Sequence, residues 1–370
     1  MKVIIIKGNL KTGLGIVERA SGENQNLPIL KNVLIETEQN RIKVTATNLE
    51  VAISYFVSGK VIESGKVTVP LATFYDVVST LQTERLNLEK KKYGLEVKTD
   101  NYEAVVQGLP ADDFPIIPKL KNTEEFIEIK GETLKEALTQ TIISAQASDL
   151  RPELHSIYFN FLMDTIVMAA TDSFRLSEKK ITGSQFKTTY NKEFKILIPL
   201  RTCQELLRII QDSDSVKIYH DQAQILFKTE NLEFVSRLTD GVFPDYNAII
   251  PKKFDSEVTL DREEFINAIK LAGIFSSRVN EVKLKIPPAK KNLEIFSADQ
   301  TLGENKYVLP AKVSGEVKET SFNWRYLADG LKTISESTVF LGLGEENKPA
   351  LLKSTVNSSF FYILMPIIKT

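Results

Sequence analysis

Two histidines, one cysteine and scattered carboxylates are the residues of this 370-residue chain from which covalent or proton-transfer chemistry would start. Their spacing does not suit it. His155 and His220 stand 65 residues apart, with no cysteine or third histidine to complete a metal site. Asp112-Asp113 and Glu345-Glu346 are adjacent pairs, and neighbours in sequence do not face each other on a helix or a strand. Asp172, in TDSFRL, has the chemistry of a general acid but no base or nucleophile beside it, so a turn or cap aspartate is the preferred reading. Cys203 falls in a helical pattern next to Leu206 and Leu207, where a packed thiol is expected. The chain contains no GxxxxGK[ST] phosphate loop, GxSxG elbow, CxxC or HExxH. A protein without catalytic activity or cofactor is therefore expected, with an enzyme built on an unrecognised carboxylate site as the weaker alternative.

The elements that would position any site occur in triplicate. LEVKTDNYEAVVQG (Leu95–Gly108), ILFKTENLEFVSRLTD (Ile225–Asp240) and ALLKSTVNSSFFYILM (Ala350–Met365) each read as an apolar strand, a lysine, a polar turn and a returning strand. Their lysines, Lys98, Lys228 and Lys353, lie 130 and then 125 residues apart, a period long enough for each copy to own a core. Helices repeat with them. Asn9–Ser21, Thr133–Ala147 and Arg262–Ser276 carry apolar residues at helical spacing, such as Leu10, Leu14 and Val17 in the first. Leu71–Gln82, Leu200–Gln211 and Trp324–Ser335 form a second set, the first two opening after Pro70 and Pro199. Each unit is predicted as an α+β domain of antiparallel strands, with one sheet packed beneath two helices. DDFPIIP (Asp112–Pro118) and VFPDYNAIIP (Val242–Pro251) align on Phe-Pro pairs 129 residues apart and suit linkers. The predicted domains are 1–121, 122–252 and 253–370.

Composition excludes several classes. A formal net charge of −1 is wrong for a protein that coats nucleic acid by bulk attraction. The single cysteine allows no internal disulfide, and no run of about 18 apolar residues is present, so a cytoplasmic protein without membrane contact is expected. Basic residues on the six helical segments, including Lys11, Arg19, Lys135, Arg201, Arg208, Lys270 and Lys332, are offset by nearby acids.

Four segments in order, LPILKNVLIET (Leu27–Thr37), ATDSFRL (Ala170–Leu176), VFPDYNAIIP and YILMP (Tyr362–Pro366), resemble the bacterial DNA polymerase III β subunit family, the sliding clamps. The resemblance covers the whole chain. It implies a head-to-tail homodimer closed into a ring around double-stranded DNA, with helices lining the hole and continuous sheets outside. The partners implied are the replicative DNA polymerase, the clamp loader and other proteins carrying a clamp-binding motif, and the role is processivity. A protein scaffold that does not encircle DNA is the alternative class.

The resemblance also implies sites. A partner-peptide pocket would involve Leu154, Thr171, Ser173, Phe174, Arg175 and Leu176 from the second domain. From the connector it would take Pro244, Ala248 and Ile249, and from the last strand and tail Ile363, Leu364, Met365, Pro366 and Ile367. Ser173-Phe174 stands where the family more often has Gly-His, and the tail IIKT replaces a Met-Arg type of ending. The dimer seam would involve Ala104 on one subunit, with Ile274 and Phe275 on the other. DNA-contact loops map to Asn24, Ser148, Pro152 and Glu153, none of them basic, so the seven basic residues named above are the inner-face candidates.

Overall fold

Apolar residues at three- and four-residue spacing set the helices, and each helix begins where a strand ends. The computed structural model of the protein describes residues 1–22, 26–38, 41–146, 150–289, 291–316, 318–345 and 347–368. Among them are six helices: α1 (Lys7–Val17), α2 (Leu71–Thr80), α3 (Gly131–Ile142), α4 (Leu200–Ile209), α5 (Arg262–Ile274) and α6 (Trp324–Lys332). In α1, Leu10, Gly13, Leu14 and Val17 form the buried stripe. Gly13 is needed there, because a Cβ would fall 2.9 Å from Val57 Cγ2. Helix α5 is capped by Asp261, whose side chain accepts from the Glu264 N–H at 2.8 Å, and α6 by Asn323, which accepts from Arg325 N–H at 3.0 Å. Helices α1 and α3 begin two residues earlier than their apolar pattern predicts, directly on the ends of strands Lys2–Ile6 and Ile127–Lys130.

Twenty-seven strands among the described residues fall into three sets of nine, all in antiparallel pairs. The prediction of one sheet beneath two helices is corrected here. Each repeat divides its strands between two sheets, and α5, for example, packs against strands of both Ser256–Asp261 and Glu281–Lys285. A helix pair buried from two sides needs a wide apolar stripe, which Phe265, Ile266, Ala268, Ile269 and Ala272 supply.

The chain forms two compact units. Unit 1 holds residues 1–132, 186–190 and 208–238, and unit 2 holds 133–185, 191–207 and 239–370. Unit 1 contains a five-stranded sheet and a nine-stranded sheet, and in the latter Leu232–Arg237 pairs with Val51–Val57. Unit 2 contains a second nine-stranded sheet, in which Phe360–Leu364 pairs with Arg175–Thr182, and a four-stranded sheet. In both cases the last strand of one repeat joins the corresponding strand of the preceding repeat. The first repeat's last strand, Glu103–Val106, and the third repeat's counterpart strand, Gly303–Pro310, are sheet edges with one open side each among the described residues.

The proline-rich linkers do not stand free. Phe114 packs with Ile29 and Leu30, and Phe243 and Tyr246 pack with Leu176 and Ile363 on the outer face of the second nine-stranded sheet.

Candidate functional site

The strand join in unit 2 brings the ATDSFRL and YILMP segments together. Arg175 stands opposite Leu364 and Leu176 opposite Ile363, and the Met365 N–H donates to the Phe174 carbonyl at 2.8 Å. The turn before the join is built by Asp172. Its Oδ1 accepts from the N–H groups of Phe174 and Arg175, both at 2.9 Å, while Thr171 Oγ1 donates to the Arg175 carbonyl at 2.8 Å. This turn holds Ser173 at φ +77°, a left-handed conformation that the side-chain hydrogen bonds stabilise. Phe174 is thereby pushed outward and left 59% exposed.

Much of the Arg175 guanidinium fork is committed within the chain. Nε donates to Asp172 Oδ2 and Nη1 to Asp329 Oδ2, each at 2.9 Å, and the plane lies 4.2 Å above the Tyr326 ring centre. Burial opposes the Arg175 charge, but Tyr362, Asp172 and Asp329 more than offset it and hold its pKa above the ordinary value. Tyr362 is fully buried, donates to the Tyr326 carbonyl at 2.9 Å, and its phenol is pushed up by that burial. Arg175 is thus held in place at the join by Asp172, Asp329 and the Tyr326 ring.

The other expected pocket residues divide by burial. Leu176, Ile363 and Leu364 are core, and Thr171 is buried in the turn. Pro244, Met365, Pro366 and Ile367 are half-buried, and Ser173, Phe174, Ala248 and Ile249 are exposed. The tail is held by the Ile367 N–H, which donates to the Ser321 carbonyl at 2.8 Å. Leu154 is buried but lies outside the Leu176–Ile363 cluster. An apolar surface with a half-exposed rim and carbonyls fixed by strand pairing can take an extended apolar peptide. It offers no nucleophile. Cys203 is fully buried and its thiol pKa is raised by that burial.

Several contributors escaped sequence reading. Asp329 and Tyr326 carry no motif and become partners of Arg175 only through α6. Tyr246 lies within the quoted VFPDYNAIIP, but its partner was invisible there: its hydroxyl donates to Glu178 Oε2 at 2.6 Å, and burial together with that carboxylate pushes the phenol pKa well up.

Of the basic candidates, Lys11, Lys135, Arg201, Arg208, Lys270 and Lys332 lie on helices, and Arg19 lies on the 3₁₀ turn Glu18–Ala20 after α1. Asn24 and Ser148 lie outside the described residues, and Pro152 and Glu153 form the turn before Ser156–Phe161. Ala104 sits in the open edge strand; Ile274 ends α5 and is 63% exposed, with Phe275 half-buried after it.

Asp172 is the residue whose loss should cost this site most. Asp172→Ala leaves the half-buried Arg175 charge with Asp329 as its one carboxylate and opens the turn, at about 3 kcal/mol. Asp172→Asn keeps the turn acceptor and should cost about half of that. Urea unfolding followed by circular dichroism reads both; equal midpoints for Asp172→Ala and the parent would contradict this assignment.

Three repeats that extend one another's sheets, with an apolar cluster at the second join, define the clamp class. The chain matches models of the DNA polymerase III beta subunit N-terminal domain over residues 1–118, the central domain over 128–245 and the C-terminal domain over 247–368. It is 28% identical to the beta sliding clamp of Synechococcus elongatus over 374 residues and 25% identical to that of Bacillus subtilis over 380, covering 99% of both chains in each case. The crystal structure of the Bacillus subtilis sliding clamp superposes with a TM-score of 0.94 at 25% identity. That of the Pseudomonas aeruginosa clamp bound to griselimycin gives 0.94 at 26%, and both comparisons cover 100% of each chain. The chain belongs to the DNA polymerase III beta subunit family, the beta sliding clamps.

Proposed function

We propose that this protein works as a ring-shaped homodimer that encircles duplex DNA and tethers the replicative polymerase, without catalysing a reaction itself. The observation that carries the reading is the pattern of strand joins. Two of the three possible joins are made within the chain, and the strands of the third, Glu103–Val106 and Gly303–Pro310, are open edges. Open edges are a liability unless paired, and a second copy supplies the missing partner to each. A head-to-tail contact made twice closes on itself.

The repeats predict the register of that seam. Alignment on the hairpin lysines equates Glu103 with Glu233, which stands opposite Ser54. Thr45, Ala169 and Phe296 stand at the same position before the Asn48, Asp172 and Asp299 turns, and their cross-strand partners Ser54, Glu178 and Lys306 are therefore equivalent, the third turn being longer by a residue. Glu103 of one subunit therefore lies opposite Lys306 of the other, a pairing of opposite charges. Ala104 takes the place of Phe234 and Tyr362 and faces Asn305, whose Oδ1 is buried with no hydrogen-bond partner among the described residues.

The role of Ile274 follows in the same way. Its counterpart in the second repeat, Ile143, packs against the core of the third. Ile274 would pack against the first repeat of the second copy.

A neutral chain suits enclosure, because topology replaces tight contact and leaves weak phosphate interactions that permit sliding. Lys11, Arg201 and Lys270, all exposed, are the inner-face residues chosen for test. Replacing the three with glutamine removes six cations from a dimeric ring, and should weaken equilibrium DNA binding alike for all sequences and flatten its salt dependence by up to about five in log–log slope. Fluorescence anisotropy across a salt series measures this; loss confined to one DNA sequence would contradict a sliding role. Sedimentation at micromolar concentration should give twice the 41.7 kDa of one chain.

The apolar surface around Leu176, Ile363 and Met365 is read as the peptide site for polymerase, clamp loader and other partners. Its support is geometric: strand pairing fixes it, the tail lies across its rim, and it is the second of two homologous joins.

A further inference from the structure

The first join carries a groove of its own. In unit 1, residues 115–119 cross the outer face of the nine-stranded sheet, and cavities of about 820 and 610 Å³ lie along this crossing. The two cavities share Ala52, Val235 and the crossing segment. The physical origin is a deletion. FPIIPK at 114–119 aligns with FPDYNAIIPK at 243–252, so the first connector lacks the four residues that carry Tyr246. In unit 2 Tyr246 fills the corresponding space, 8% exposed and bonded to Glu178. In unit 1 the counterparts shrink as well: Ala52 replaces Leu176, Ser54 replaces Glu178 and Val235 replaces Ile363. Ile116, the counterpart of Ile249, is left 92% exposed at the mouth.

The rim of the smaller cavity carries three cations, Lys119, Lys121 and Arg237, against two acids, Glu50 and Asp221; the cations make no ion pair among the described residues, whereas Asp221 accepts from the N–H groups of Ala223 and Gln224.

We propose that this groove is a second peptide site, which takes an extended segment of a partner protein. An aromatic side chain would occupy the space that Tyr246 fills in unit 2, and flanking acidic residues would lie against Lys119, Lys121 and Arg237. This goes beyond the groove at the second join, uses none of its residues, and gives each chain two docking points of different selectivity: one beside Arg175 and an aromatic-filled connector, the other with an open aromatic-sized cavity.

The test is photo-crosslinking on the full-length protein, using an acetylated Asp-Leu-X-Leu-Asp peptide in which X is benzoylphenylalanine. Crosslinks are mapped by mass spectrometry, with the tyrosine version of the peptide as competitor. The expected result is saturable, competed crosslinking within residues 111–120 or strand Val51–Val57. It should fall by about tenfold or more in an Ile116→Asp/Lys119→Glu variant, whose changes are at exposed positions and leave the fold intact. Crosslinks confined to residues 243–249 and 363–367 would overturn this proposal while leaving the reading of the second join standing. Crosslinking at 111–120 that neither saturates nor responds to the variant would also overturn it. Absence of crosslinks at 363–367 bears on the other site alone.

Discussion

Replacing both Ile274 and Phe275 with aspartate is expected to yield folded chains that no longer associate. Ile274 is 63% exposed in the single chain, whereas its counterpart Ile143 packs against the next repeat's core. Central apolar anchors of this kind contribute about 2–4 kcal/mol each, so the pair should weaken dimerisation by about a thousandfold or more. Analytical ultracentrifugation measures the mass, and an unchanged circular dichroism spectrum establishes folding. A dimer of undiminished affinity would remove these residues from the seam. The register offers a sharper check. Glu103→Lys should weaken association by setting like charges opposite each other, and adding Lys306→Glu should restore it; additive losses would mean a different register.

Deleting residues 365–370 is expected to reduce binding of the replicative polymerase's C-terminal peptide at least about a hundredfold while leaving a folded dimer. The deletion takes away Met365, Pro366 and Ile367, the half-buried rim, and the Ile367 N–H bond to Ser321. The join beneath survives, because Arg175 opposite Leu364 and Leu176 opposite Ile363 lie upstream of the cut. Isothermal titration with the full-length and shortened proteins reads the loss. Unchanged affinity would place the peptide elsewhere. The shortened protein must remain a folded dimer by ultracentrifugation and circular dichroism for the loss to report on the peptide surface.

The repeat was legible because hairpins announce themselves locally. Lys98 and Lys228 end strands and pair with Glu103 and Glu233 at 2.7 and 2.8 Å, so each hairpin's polar turn is set by residues within a few positions. The helices were legible for the same reason, with ends displaced where a strand runs straight into a helix at Ile6 and Lys130. The second sheet of each repeat was not. Strand pairing partners such as Leu232–Arg237 with Val51–Val57 lie far apart in sequence, and alternation of apolar residues says which face is buried but not which strand is adjacent.

At the second join, the quoted motifs named residues that the fold brings together, but not the partners that hold them. Asp172 was read as a turn aspartate and is one, but its salt bridge to Arg175 closes a network through Asp329 and Tyr326 on α6. Nothing in TDSFRL reveals that. The first-join groove was invisible for a related reason, since a cavity is made by the side chains that are missing. It became readable only when FPIIPK was set beside FPDYNAIIPK and the structure showed what Tyr246 fills.

Enclosure of DNA is the central claim, and it has a direct topological test. The protein is loaded on nicked circular duplex DNA by the clamp loader, freed of unbound protein by gel filtration, and the circle is then cut once with a restriction enzyme. A ring should stay with the circle through a wash at moderate salt and leave the linear product by sliding off its ends. Retention on linear DNA equal to that on the circle, or loss from both at the same rate, would contradict it.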